Sequence, residues 1–74
     1  MPNLTWHPVA SSHIEAVAHD AEAGHLLVRF TSGGTYAYPG AGVEDLEAIR
    51  DAESPGSHFH HWKQGRESVK VEEP

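Results

Sequence analysis

The chain has no cysteine among its 74 residues, which excludes disulfide bonds and thiolate zinc sites. Apolar runs are short, as at Leu26 to Val28, whereas a membrane span needs roughly 20 apolar residues. Basic residues are few, since five Lys and Arg stand against eleven Asp and Glu, and the formal charge of −6 does not suit a broad phosphate-binding surface. These absences predict a cytoplasmic protein with no membrane partner, stabilised by the packing of one small core.

Three segments follow from the distribution of proline and charge. Pro2 and Pro8 predict an extended lead-in over residues 1–10, and residues 11–66 hold the periodic patterns of a single domain. Half of residues 67–74 are charged, which predicts a flexible charged tail. Val69 and Val71 alternate over too few residues to predict a strand.

Three strands are predicted in the first half of the domain. Apolar residues alternate imperfectly from Ser12 to His19, where a bulge near Ala16 would place Ile14 and Val17 on one face. In residues 26–31, Leu26, Val28 and Phe30 fall on one face at a period of two, and residues 35–38 return as the third strand. Turn residues separate the three segments, at 20–24 and 32–34.

Two helices are predicted in the second half. Apolar residues recur at helical spacing from Val43 to about Ala52, and Ser54 followed by Pro55 is a start signal for a second helix ending near Gly65. The predicted fold class is α+β, with a three-stranded antiparallel sheet packed by two helices in the order β-β-β-α-α. The predicted core comprises Ile14, Val28, Phe30, Leu46, Ile49 and Phe59.

Several short motifs follow one another in a characteristic order. They run from Ser11 to Ile14, from Leu26 to Gly34, through Tyr36-Ala37-Tyr38, and from Ala52 to Gly56, together with Asp20, Val43 and Phe59. This order resembles the KTSC domain family, whose signature is the Tyr-x-Tyr motif. Members are known at the carboxyl end of some lysyl-tRNA synthetases and as free-standing proteins of bacteria and phages. The resemblance implies a small binding domain, for which RNA has been suggested as the partner. Two departures, His60 where the family often has Asn and no Tyr after Arg66, would alter or remove a ligand contact there.

Tyr36 and Tyr38 share one face of the third strand, which leaves two interpretations open. Paired aromatic rings on an exposed sheet face stack bases in several RNA-binding folds. Alternatively, both rings fill the core, because a chain with two Phe and two Trp has few other large side chains for that purpose.

Histidines cluster in the second predicted helix. His58 and His61 share a face and His60 points elsewhere, and no acidic residue stands at an evident ligand spacing. A metal site would need further ligands such as His13 or His19. The pattern is more typical of a polar helix face, so we predict no metal site.

A small anion site is a further candidate. Arg29, Lys63 and Arg66 are the basic residues that the strand and the second helix could bring together, and the open amino end of that helix at Ser54 to Gly56 could hold a phosphate or carboxylate. The alternative is that these side chains are simply solvated.

No catalytic residue and no cofactor is predicted. Ser11, Ser12 and His13 are sequence neighbours, and neighbours on a strand point to opposite faces, so they do not form a triad. The leading hypothesis is a noncatalytic module that binds a protein or RNA segment across the free edge of the third strand and the second helix. The alternatives are an RNA-binding domain that uses the tyrosine pair and a small metal-dependent or hydrolytic enzyme.

Overall fold

The computed structural model describes residues 4–71, which form one five-stranded antiparallel sheet with two helices on one of its faces. The strands lie in sequence order across the sheet. The elements are β1 (His7–Pro8), β2 (Ile14–Asp20), β3 (His25–Phe30), β4 (Thr35–Pro39), α1 (Val43–Arg50), α2 (Pro55–Trp62) and β5 (Val69–Val71). The predicted α+β class and the two helices are confirmed, but the prediction of three strands is wrong because the sheet has five.

The central hairpins follow the alternation of the sequence. Leu26 lies opposite Tyr38 and Val28 opposite Tyr36, so these four side chains share the face that the helices cover. The register between β2 and β3 shifts between Ile14 and Ala16, which confirms the predicted bulge. That bulge places both Ile14 and Val17 in the core.

The two outer strands are the elements that the sequence did not predict. At one edge, β5 pairs with β4, with Val69 opposite Ala37 and Val71 opposite Thr35. At the other edge, the short β1 pairs with β2. The expected free edge of the third strand is therefore occupied by β5. A run of three residues carries too little periodicity to predict a strand, and the pairing partner that stabilises it lies far away in the sequence.

The main core lies between the sheet and the helices. Five of the six predicted core residues are buried there, and the sixth, Phe30, packs against them while partly exposed. Four aromatic rings form a continuous chain through this layer, with centroid distances of 5.4 to 6.0 Å. The rings belong to Phe30, Phe59, Tyr38 and Trp62.

The opposite face of the sheet is covered by the amino-terminal segment. Ala18, Leu27 and Ala37 are buried there beneath Leu4 and Trp6, with Val71 at the side. Because two of these sheet residues are alanines, the segment can lie close to the strands. Within the described residues, no helix has both the length and the apolar composition of a membrane crossing, since α1 and α2 have eight residues each.

Both helices end earlier than predicted, α1 at Arg50 and α2 at Trp62. Their amino ends differ in whether a side chain accepts a hydrogen bond from a free N–H group. The Asp45 carboxylate accepts a hydrogen bond of 2.9 Å from the Gly42 N–H, which closes the amino end of α1. Ser54 precedes α2 as predicted, but its side chain makes no capping hydrogen bond. The amino end of α2 is thus left open.

Candidate functional site

A polar cleft of about 510 Å³ lies between the loop that precedes β2 and the first two turns of α2. This volume is within the range of small-ligand sites, roughly 300 to 1,000 Å³. The lining has four serines and three histidines, and no acidic residue from the described part of the chain contributes to it. One wall is Ala10, Ser11, Ser12 and His13; the other is Ser54, Gly56, Ser57, His60 and His61.

The first wall is held in place by hydrogen bonds from two sides. The Ser11 hydroxyl oxygen accepts the backbone N–H groups of His13 and Ile14, at 3.1 and 3.2 Å. The Thr31 hydroxyl donates to the Ser12 carbonyl at 3.0 Å, and the Thr31 N–H donates to the His13 carbonyl at 2.9 Å. Since Ile14 is buried, this loop is fixed to the core at its carboxyl end.

The second wall touches the first at Gly56. A Cβ atom at this position would lie 2.9 Å from the Ser11 hydroxyl oxygen, closer than Cβ atoms of folded proteins come to such neighbours, so the contact in its present form needs a glycine. Pro55 and Phe59 are buried and anchor α2 on the core. The close contact between Ser11 and Gly56 forms the junction of the two walls.

Hydrogen-bond donors are available on the α2 side of the cleft. The first intrahelical bond of α2 runs from the His58 N–H to the Ser54 carbonyl, at 2.9 Å. The N–H groups of Gly56 and Ser57 precede it in the first turn, where a helix provides no acceptor. Together with the hydroxyls, they make the cleft suited to a polar or anionic group.

The same residues do not form an assembled nucleophile. Within residues 4–71, no serine hydroxyl is hydrogen-bonded to a histidine ring, the contact that activates a serine for attack. That stretch also holds no group of three or more His, Asp and Glu side chains placed to bind a metal ion. What the cleft offers is hydrogen bonding.

The predicted basic trio is not brought together. The Arg29 guanidinium lies 4.1 Å from the Trp6 ring on the sheet face opposite the helices, and Glu15 is 3.5 Å from it. Lys63 and Arg66 lie near the carboxyl end of α2, where the Arg66 guanidinium stacks 4.0 Å above Trp62. The cause is strand alternation, because Arg29 shares a face with Leu27 and not with the helix-facing Val28.

The predicted tyrosine pair belongs to the core. Tyr38 is 6% exposed and contacts Phe59 and Trp62 edge to face, while Tyr36 packs partly buried against Phe30. Burial raises the pKa of Tyr38, against the opposing effect of a hydrogen bond with the Ser68 side chain. The two rings do not form an exposed stacking platform.

Of the remaining predicted site residues, Ser54, Gly56 and His61 line the cleft, whereas His58 is exposed outside it. No binding role was predicted for Ser57, His60 or the first wall. The serines of that wall were considered only as part of a triad, and His13 only for a triad or a metal site. A usable signal was present. Each polar motif is adjacent to a residue of the predicted core, Ile14 for the first wall and Phe59 for the second, and those two residues meet in one core.

A second polar cluster connects the two helices away from the cleft. The Trp62 indole N–H donates to the Asp45 carboxylate at 3.0 Å, and Asp45 also accepts from Gly42. Partial burial alone would raise the pKa of Asp45. The hydrogen bonds from Gly42 and Trp62, with the nearby charge of Arg66, outweigh burial and hold this pKa below the ordinary value for aspartate. The cluster joins α1 to α2.

Comparisons with known proteins agree on one family. The model of the KTSC domain matches residues 10–65, which include both walls of the cleft. An uncharacterised protein of Stutzerimonas stutzeri is 36% identical over 50 residues, covering 68% of this chain and 70% of that protein. The crystal structure of the KTSC domain protein YPO2434 from Yersinia pestis superimposes with a TM-score of 0.83 at 27% identity, covering 95% of this chain and all of the other. The chain therefore belongs to the KTSC domain family.

Proposed function

We propose that the protein is a noncatalytic binding module whose ligand enters the cleft between the loop before β2 and the amino end of α2. The observation that carries the proposal is the cleft itself. It is polar on both walls, and the walls come from distant parts of the chain that meet at the contact between Ser11 and Gly56.

The chemistry of the lining supports binding. The hydroxyls of Ser12, Ser54 and Ser57 stand on exposed residues beside N–H groups that have no acceptor in the helix. Packing of the core does not require these groups, because the buried residues of α2 are Pro55 and Phe59. A partner that presents a polar group of small size fits this cleft.

The sheet edge is not part of this proposal, because β5 occupies the edge of β4 that a partner strand would have used. The alternative of an RNA-binding domain based on Tyr36 and Tyr38 has less support. Tyr38 is enclosed by Phe59 and Trp62, and the formal charge of −6 opposes broad contact with phosphates.

The experiment maps small fragments on the ¹⁵N-labelled full chain. Carboxylate, phosphate, amide and sugar fragments are added one at a time, and amide shifts are followed. We expect saturable shifts confined to residues 10–13 and 54–61, which include the lining. Shifts that cluster elsewhere, or no shifts with any fragment, would contradict the proposal.

A glycine pair gives matched variants for this experiment. Gly56→Ala inserts a Cβ atom 2.9 Å from the Ser11 hydroxyl, which should move the walls apart. We expect the fragment affinity measured from the shifts to fall about tenfold or more. Gly42→Ala is the control, because its new Cβ would meet only the end of the flexible Glu44 side chain. If Gly56→Ala does not fold, the pair Ser12→Ala and Ser57→Ala replaces it. Gly42→Ala should bind the fragments as wild type does. Fragment binding equal to wild type in Gly56→Ala, or in the serine variants where they replace it, would overturn the proposal.

A further inference from the structure

We infer that the group bound in the cleft is a tetrahedral oxyanion of the phosphate type, and that its affinity rises as the lining histidines gain protons. This inference rests on the proposed function and adds the ligand chemistry and its dependence on pH.

The cleft is lined by residues without a fixed charge, whereas the molecule as a whole is acidic. The chain carries −6 in total, yet among residues 4–71 the lining consists of serines, histidines, one alanine and one glycine, with no carboxylate. An anion therefore meets no fixed negative charge from the described part of the chain within the cleft. Because the N–H groups of Gly56 and Ser57 can only donate, an acceptor is the complementary partner.

The arrangement of donors favours a tetrahedral group. Hydroxyl donors stand on both walls, with Ser11 and Ser12 on one and Ser54 and Ser57 on the other. A planar carboxylate is usually matched by the fork of an arginine, and neither Arg29 nor Arg66 lines the cleft. Oxygens that point in several directions, as in phosphate or sulfate, can use donors of both walls at once.

Three histidines line the cleft and make its charge depend on pH. His13 comes from the first wall, and His60 and His61 come from α2 with ring centroids 5.8 Å apart. Imidazoles gain a positive charge as the pH falls through about 6.5. An exposed interaction between one protonated histidine and the bound anion changes the affinity by a factor of about two, so the three histidines together change it by about tenfold.

The other charged groups around the cleft do not reverse the expected rise of anion affinity at lower pH. Glu53 precedes Ser54 and is exposed, and Asp51 is paired with Arg50 at 2.9 Å. On the β2 side Glu15 is 3.5 Å from Arg29, and on α2 His58 and Lys63 are exposed outside the lining. Carboxyl groups ordinarily titrate at about pH 4 and imidazoles at about pH 6.5, so a difference between pH 5.5 and 7.5 reports imidazole charge.

Sulfate is the probe, because its charge is constant in this range whereas that of a phosphate monoester is not. Sodium sulfate is titrated into the ¹⁵N-labelled full chain at pH 5.5 and 7.5, with sodium chloride holding the ionic strength constant. We expect saturable shifts of the Gly56 and Ser57 amides and an affinity about tenfold higher at pH 5.5. Affinity that is equal at the two pH values, or higher at pH 7.5, overturns the inference.

Histidine variants locate the effect. His60→Gln combined with His61→Gln should reduce the difference between the two pH values to about twofold, the share left to His13. His58→Gln is the matched control, since His58 is on the same helix, exposed and outside the lining, and it should keep the full difference. A control variant that loses the dependence as completely as the double variant overturns the assignment.

Two further probes distinguish the source of the oxyanion. O-phosphoserine represents a phosphate monoester and dimethyl phosphate a diester, and tighter binding of either one supports the inference and names the source. If uncharged fragments bind in the cleft but no oxyanion does, the inference fails while the proposed function stands. If neither uncharged fragments nor oxyanions bind there, the inference and the proposed function both fail.

Discussion

At the scale of single residues, Gly56 determines how closely the two walls of the cleft approach. Alanine is the better helix former by about 1 kcal/mol, so helix propensity alone would favour Gly56→Ala. Its Cβ atom would, however, displace the Ser11 hydroxyl, which accepts hydrogen bonds from the N–H groups of His13 and Ile14. Two such bonds contribute about 2 kcal/mol, so the contact outweighs the propensity.

Asp45 is the residue for which the structure predicts a dependence of stability on pH. Its pKa is lowered in the folded state, so its contribution is complete above the ordinary aspartate pKa of about 3.9 and is lost as the pH falls through the folded value. Asp45→Asn removes this titration. We expect the variant to be about 1 kcal/mol less stable than wild type at pH 6 and to approach wild type at pH 2.5.

Urea unfolding at the two pH values measures this difference in the free energy of unfolding. Glu47→Gln is the control, because Glu47 is an exposed acidic residue on the same helix, and this variant should follow wild type at both pH values. A constant gap between Asp45→Asn and wild type from pH 6 to pH 2.5 would show that the carboxylate charge is not what connects α1 to α2.

At the scale of elements, β5 protects the edge of the sheet. Removing residues 69–74 would expose the edge of β4, where Thr35 and Ala37 are buried. We expect the free energy of unfolding to fall by about 1 to 2 kcal/mol and the shortened chain to self-associate through the free edge. Urea unfolding and sedimentation velocity measure the two effects.

A chain that lacks only residues 72–74 is the control for that truncation, because it retains β5. It should remain as stable as the full chain and sediment in the same way. If the longer truncation also leaves both measurements unchanged, the pairing of β5 with β4 contributes nothing to the fold.

The sequence predicts an element well when its signal is long and local. In β3, Leu26, Val28 and Phe30 recur at a period of two, and α1 carries Leu46 and Ile49 at helical spacing, so both are found near their predicted positions. The strands β1 and β5 have two and three residues, too few for a period to be visible. Their existence depends on pairing with β2 and β4, which no local pattern shows.

At the scale of the whole molecule, the two faces of the sheet are covered by different parts of the chain. The helices cover one face, and the amino-terminal segment with Trp6 covers the other, held by the stacked Arg29 guanidinium. The sequence predicted the first layer but not the second. Arg29 was expected to join Lys63 and Arg66, but strand alternation places it on the second face, where its guanidinium stacks on Trp6.

The candidate site was predictable in part. The open start of α2 at Ser54 to Gly56 was expected from the Ser-Pro signal, and the structure places it in the cleft. The opposite wall was not expected, because its proximity arises only when Ile14 and Phe59 pack into the same core. Tertiary packing, which brings distant segments together, supplied the missing half.

The existence of the cleft is tested most directly by whether those two walls touch in solution. In the structure the Ser11 Cβ atom lies 3.8 Å from the position that a Cβ atom on Gly56 would occupy. This proximity predicts a nuclear Overhauser effect between the β protons of Ser11 and the α protons of Gly56 in the free protein. A fully assigned spectrum without that effect, in a protein that retains the hairpins of the sheet, would contradict the cleft and every binding proposal made from it.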